Sequence, residues 1–167
     1  MLKIYHNRGI TLIELIIAIT IASILAMVAV PTFISMYQEN RLTTNIDNLY
    51  YVLQSAKSAA IKNNLTVYVN FHAGTAWCYG MNASSTCDCT VANSCTLGTY
   101  SASTKQDYSL STTGLTNSTL QFDGTHGGAK VSSITLTLGA NAISVSIGAL
   151  GNMRVCSAQI SGYPTCP

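Results

Sequence analysis

Apolar residues fall along the chain in three successive patterns. Between positions 10 and 30 they are almost continuous, as ITLIELIIAITIASILAMVAV, with Glu14 as the single charge. A helix of that length, at about 1.5 Å per residue, spans the roughly 30 Å hydrocarbon core of a bilayer. From Pro31 onward the spacing opens. Ile34, Tyr37, Leu42, Ile46, Leu49, Leu53, Ala56 and Ala60 recur mostly at three- or four-residue intervals, while Arg41, Asp47, Lys57 and Lys62 lie mostly off that stripe. This is the period of an amphipathic helix. It predicts a continuation to about Lys62, with Asn63 and Asn64 as the stop, because asparagine tolerates the left-handed conformation found at helix C-termini. Tyr37, Tyr50 and Tyr51 are expected at the edge of the stripe.

Beyond Asn64 the period drops to two. Val67, Val69 and Phe71 alternate with Thr66, Tyr68, Asn70 and His72, which predicts a half-buried strand. Residues 77–81, 119–122, 134–138, 142–147 and 153–156 are expected to be further strands, with glycines punctuating them. Residues 82–118 are rich in Ser, Thr, Asn and Gly and read as one long decorated loop, too poor in apolar residues for a second core. The expected fold class is α+β, a long helix packed on antiparallel sheet.

Composition agrees with an appendage outside a soluble core. Of the 167 residues, 48% are hydrophobic and only 8% charged, against about 25% charged in an average soluble domain. Disorder is excluded, and the length argues against a two-domain enzyme. Lys3 and Arg8 precede the apolar run, and without them six basic face six acidic side chains. The rest of the chain therefore has no global electrostatic footprint for nucleic acid. The same two residues, with His6, form a positive flank that keeps the N-terminus cytoplasmic and sends the body outward.

A secretory signal has an apolar stretch of about 7 to 15 residues with its cleavage site behind it. Here the small residue beside a base, Gly9 after Arg8, comes ahead of a longer run, so cleavage there leaves the helix on the mature protein. Glu14 inside the bilayer costs on the order of 2.5 to 3.5 kcal/mol and calls for a cationic partner. A free α-amine on a neighbouring subunit is such a partner. Gly9 followed by Ile10, Thr11, Leu12, Ile13, Glu14 and Leu15 resembles the type IV prepilin signature, with Ile10 where phenylalanine is usual. The resemblance implies a prepilin peptidase that cuts after Gly9 and N-methylates Ile10, and a Glu14 that neutralises the N-terminus of the preceding subunit during assembly. Pro31 removes an intrahelical hydrogen bond and is expected to kink the helix; pilins commonly carry a proline there.

The segment from Leu53 to Asn64 followed by a valine-rich strand, and the closing stretches 143–148 and 151–156, resemble the GspH/FimT group of minor pilins and pseudopilins, FimU-like proteins among them. The implied fold is the type IV pilin fold. The implied layout is a cleaved leader (1–9), a transmembrane or filament-core helix (10–31), an amphipathic helix (32–64) and a β-rich periplasmic head (65–167). Some FimT-type members are implied to bind DNA through a basic tail. Here Asn152 stands where that motif often has its first arginine, and Arg154 remains, with Lys105 and Lys130 as further candidate contacts. The competing reading of Arg154 is a strand residue with its guanidinium in solvent.

Six cysteines, at 78, 87, 89, 95, 156 and 166, all fall in the exported part. Outside the cytoplasm an even set means disulfides. Cys156 and Cys166 close a loop worth something like 3 kcal/mol in the chain-entropy model, and they are expected to pair. Cys78, Cys87, Cys89 and Cys95 then staple the polar loop to the strand at Trp77, in a pattern the sequence leaves open. Zinc competes for the four thiolates, but paired CxxC knuckles are absent. His72 and His126 are isolated and read as surface residues. Asp88, Asp107 and Asp123 are scattered loop carboxylates, with calcium as their minor reading.

These features point away from an enzyme and from any cofactor. The expectation is a minor type IV pilin in the bacterial inner membrane, single-pass with a periplasmic head, later part of a surface filament with other major and minor pilins. A type II secretion pseudopilin and a DNA-binding competence pilin are the alternatives.

Overall fold

The computed structural model describes residues 10–101 and 108–166. Helix α1 runs over Leu12–Asn63. It is followed by β1 (Val67–His72), β2 (Cys78–Ala83), β3 (Gly98–Ser101), β4 (Ser109–Thr113), β5 (Thr119–Phe122), β6 (Ser132–Leu138), β7 (Asn141–Ile147) and β8 (Met153–Cys156). The chain divides into two compact units between Gln38 and Glu39.

In the first unit every Ile, Leu, Met and Val from Ile10 to Val30 is exposed, from 44% at Ile16 to 80% at Met27. Among the described residues α1 is the one helix long and apolar enough to cross a membrane. Its hydroxyls are matched to such a setting. Thr20 Oγ1 donates to the Ile17 carbonyl and Ser23 Oγ to that of Thr20, each at 2.8 Å, so neither group needs water.

In the second unit the helix buries one stripe: Leu42, Ile46, Leu49, Leu53, Ala56 and Ala60 are at most 1% exposed. Each buried Leu or Ile contributes about 1.5 to 3 kcal/mol. The stripe is shorter than its sequence pattern. Ile34 and Tyr37 are exposed and belong to the first unit. Tyr50 is half-buried and Tyr51 is exposed. Asn64, with φ of 50°, ends the helix in the left-handed region, and Leu65 N–H returns to the Ala60 carbonyl at 3.1 Å.

Two antiparallel four-stranded sheets, ordered β3-β2-β1-β5 and β4-β6-β7-β8, share one core with that stripe. Alternation decides which side chains enter it. Val67, Val69 and Phe71 enter from β1, Ile134, Leu136 and Leu138 from β6, and Ile143, Val145 and Ile147 from β7. The bridge between Gly74 and Leu110 links the region after β1 to β4.

The stretch 82–118 is not one loop, because it contains β3 and β4. Both are edge strands made largely of Gly, Ser and Thr, with one buried aliphatic residue, Leu110. Edge strands need little apolar content, so composition hides them. The strand expected at 77–81 is displaced to Cys78–Ala83, and Trp77 precedes it as a fully buried residue.

Candidate functional site

Gly9, Lys3, His6, Arg8, Lys105 and Asp107 lie outside the described residues. Ile10 is 78% exposed at the start of the apolar segment. Thr11 precedes the first helical residue and Glu14 is the third, the arrangement of a capping box. Thr11 Oγ1 accepts the Glu14 backbone N–H at 3.3 Å, and Glu14 Oε2 accepts the Thr11 N–H at 3.4 Å and its hydroxyl at 3.4 Å. The Thr-x-x-Glu spacing that signals this was present in the sequence. Glu14 Oε1 accepts no hydrogen bond among the described residues. The carboxylate thus sits at the positive end of a helix with one oxygen open to a further donor. Pro31 lies within Leu12–Asn63, and the helix does not end there.

The head has three organised regions. The first is the cystine loop between β2 and β3, closed by Cys78–Cys89 and Cys87–Cys95. It lies directly on β2, where a Cβ at Gly80 would meet Cys95 Sγ at 2.2 Å. Cys87 N–H donates to Asn70 Oδ1 on β1 at 3.1 Å. Asp88 organises the turn: its Oδ1 accepts the Thr90 N–H at 2.9 Å and the Thr90 hydroxyl at 2.7 Å, and these bonds hold its carboxyl below the ordinary range. With all four sulfurs in disulfides, no thiolate is left for zinc. Among the described residues no group of three or more His, Cys, Asp or Glu is placed to hold a metal. His72 and His126 are exposed.

The second is a largely buried aromatic cluster, with Trp77, Tyr79 and Tyr108 at most 2% exposed. Trp77 stacks near Tyr79 and Tyr100 with centroids 6.0 and 5.6 Å apart, and Tyr108 tilts against Trp77 at 5.5 Å. Burial, then the neighbouring Tyr100, pushes the Tyr108 phenol up to about 12. Arg41 lies 5.8 Å from the Tyr108 ring centroid.

The third is the sheet β4-β6-β7-β8 with the chain's C-terminal segment, where Cys156 is bonded to Cys166. Arg154 is exposed on β8 and lines a cavity there, whereas Lys130 lines a different one and donates to Thr116 Oγ1 at 2.9 Å. The turn at Asp123 accepts Thr125 and His126 N–H groups on Oδ1 at 2.9 and 2.8 Å. The His126 bond leads in depressing its pKa.

Comparison with known proteins identifies two segments. The family model for the type II transport protein GspH matches residues 45–151, and that for the prokaryotic N-terminal methylation motif matches residues 4–30. A fimbrial protein, EcpB of Eikenella corrodens, is 42% identical over 55 residues, which is 33% of this chain and 32% of that protein. The match thus spans about a third of the relative's length. No solved structure matches the chain.

Proposed function

The chain belongs to the GspH family of pilin-like proteins, which is structural and not enzymatic, and on that premise we propose that it is a minor type IV pilin. In this reading prepilin peptidase cuts between Gly9 and Ile10, Ile10 is N-methylated, and the inner membrane holds the apolar helix until the subunit joins other pilins. The supporting observation is that one chain has both an exposed apolar stretch over residues 10–30, with Glu14 as its one charge, and a folded head. Apolar surface on that scale requires lipid or the helices of other subunits. Glu14 Oε1 is the acceptor on which the α-amine of a neighbouring subunit would land.

A second reading, a minor pseudopilin of a type II secretion machine, is favoured by the family description itself. The fimbrial relative favours the pilus. A clean deletion separates them when surface pili are counted and secreted protein is assayed from the same cultures. Loss of pili with normal secretion is expected, without rescue by Glu14→Ala. Retained pili with a secretion defect would overturn the pilin reading in favour of the pseudopilin.

A further inference from the structure

The four sulfurs of the cystine loop form one cluster. Cys78, Cys89 and Cys95 are buried together, and the half-buried Cys87 packs against them. The two bridges meet over a single point of β2, because a Cβ placed at Gly80 would collide with Cys95 Sγ and lie 3.3 Å from Cys89 Cβ. The backbone between these two cysteines is folded back on itself. Asp88 N–H donates to Ser94 Oγ at 3.0 Å, Val91 N–H to the Asp88 carbonyl at 3.2 Å and Ser94 N–H to the Val91 carbonyl at 3.2 Å. Cys89 and Cys95 are thereby held as neighbours in space, although each is bonded to another cysteine.

Thiol–disulfide exchange proceeds by attack of a thiolate on one sulfur of a bridge, while the other sulfur leaves as thiolate. Access sets the order here. Of the four cysteines only Cys87 is not buried, so a thiolate from outside reaches its Sγ first and expels Cys95. The Cys95 thiolate then stands beside Cys89, the nearest sulfur of the remaining bridge in the fold of the loop.

We propose that the cystine loop is a redox latch: a dithiol opens Cys87–Cys95, and the freed Cys95 then takes Cys89 from Cys78, which releases the loop from β2. One thiolate of the dithiol bonds to Cys87 Sγ and Cys95 leaves. Cys95 bonds to Cys89 Sγ, and Cys78 leaves and takes up a proton. The second thiol of the dithiol displaces Cys87, which is protonated in turn. The dithiol ends as its disulfide, two electrons have passed to Cys78 and Cys87, and the one bridge left among the four, Cys89–Cys95, lies within the loop. No disulfide then joins the loop to β2, and the hydrogen bond from Cys87 N–H to Asn70 Oδ1 at 3.1 Å is what still holds it over β1. The sheet face around Gly80 and Asn70 opens. The latch is independent of whether the filament is a pilus or a pseudopilus.

The test is graded reduction of the full chain in detergent micelles with dithiothreitol, followed by rapid alkylation and mass mapping. Among the four cysteines the first product is expected to carry Cys89–Cys95, with Cys78 and Cys87 alkylated. Amide hydrogen exchange over residues 84–96 should rise about tenfold or more in that product while β6 and β7 stay protected. Cys87→Ser tests the exchange step without any reductant, since it leaves Cys95 unpaired. It should distribute between Cys78–Cys89 and Cys89–Cys95, so that alkylation falls on both Cys95 and Cys78. The proposal is overturned if the first product keeps either native bridge, if all four cysteines open together, or if alkylation of Cys87→Ser is confined to Cys95.

Discussion

Lys57 of α1 donates through Nζ to the carbonyl of Gly151, 94 positions later, at 2.9 Å, and reaches the neighbouring Leu150 carbonyl at 3.3 Å. The β7–β8 turn is thereby tied to the helix by a charged donor. Gly151 is needed at the junction twice over, since its φ is 66° and a Cβ would stand 1.9 Å from the Gly127 carbonyl oxygen. Gly151→Ala should lower stability by at least about 2 kcal/mol, and Lys57→Met by about 1 to 2 kcal/mol. Denaturant unfolding of both variants measures this, and an unshifted midpoint for Gly151→Ala would refute the packing described.

The capping box lets two roles of Glu14 be separated. Glutamine at the third helical position can still reach back to the Thr11 N–H but carries no charge. Glu14→Gln should therefore retain helix content in micelles and fail to support filaments, and Glu14→Ala should fail in both. Circular dichroism and filament counts on the same variants check the pair. Filaments at wild-type level in Glu14→Gln would show that charge is dispensable.

Tyr108 gives the head an alkaline limit. Its phenol is raised by burial to about 12, whereas an unfolded tyrosine titrates near 10. The folded state binds the proton more tightly, so this contribution to stability is fully present below pH about 10 and is lost as pH rises through about 12. The Tyr108 hydroxyl is buried with no hydrogen-bond partner among the described residues. Tyr108→Phe should accordingly be neutral or stabilising at pH 7 and should flatten the alkaline loss. Melting temperatures from pH 7 to 11 test both signs.

The Cys156–Cys166 bond closes a short loop, with a sequence separation of 10, and Ser157 N–H meets the Pro164 carbonyl inside it at 2.9 Å. Replacing both cysteines by serine should cost about 2 to 3 kcal/mol and leave the other two disulfides formed. Denaturant unfolding with mass mapping of the remaining bridges decides the matter. Scrambling among Cys78, Cys87, Cys89 and Cys95 would mean that the closing loop guides their pairing.

Much of the fold was legible because periodicity reports burial directly. The helix from Leu42 to Ala60 and strands β1, β5, β6 and β7 bury the apolar residues their pattern singles out, and the helix stops at the asparagines expected to end it. Patterning failed where burial is not the organising force. Strands β3 and β4 are held at sheet edges by backbone hydrogen bonds, and their Gly, Ser and Thr residues look like loop. Ile34 and Tyr37 continue the helical period but stay exposed. Of the candidate site, the apolar run and Glu14 were visible as local sequence. The separation of Arg154 and Lys130 into different cavities was not, since it depends on pairing across strands distant in the chain. The links Cys78–Cys89 and Cys87–Cys95 depended on how the loop lies over Gly80, which spacing does not encode.

The three disulfides bridge only within residues 78–95 and 156–166, and none attaches α1 to a strand. Tension entering through the helix therefore reaches the sheets by side-chain interlock, by the Lys57 hydrogen bonds and that from the Tyr100 hydroxyl to Asn45 Oδ1, and by the short connection from Asn63 to Val67, with every cystine off the load path. Reduction would soften the loops and leave the force needed to shear the helix from the sheets unchanged. The mechanical weak point of such a subunit is its helix–sheet seam, and resistance to pulling and resistance to thermal unfolding are set by different residues.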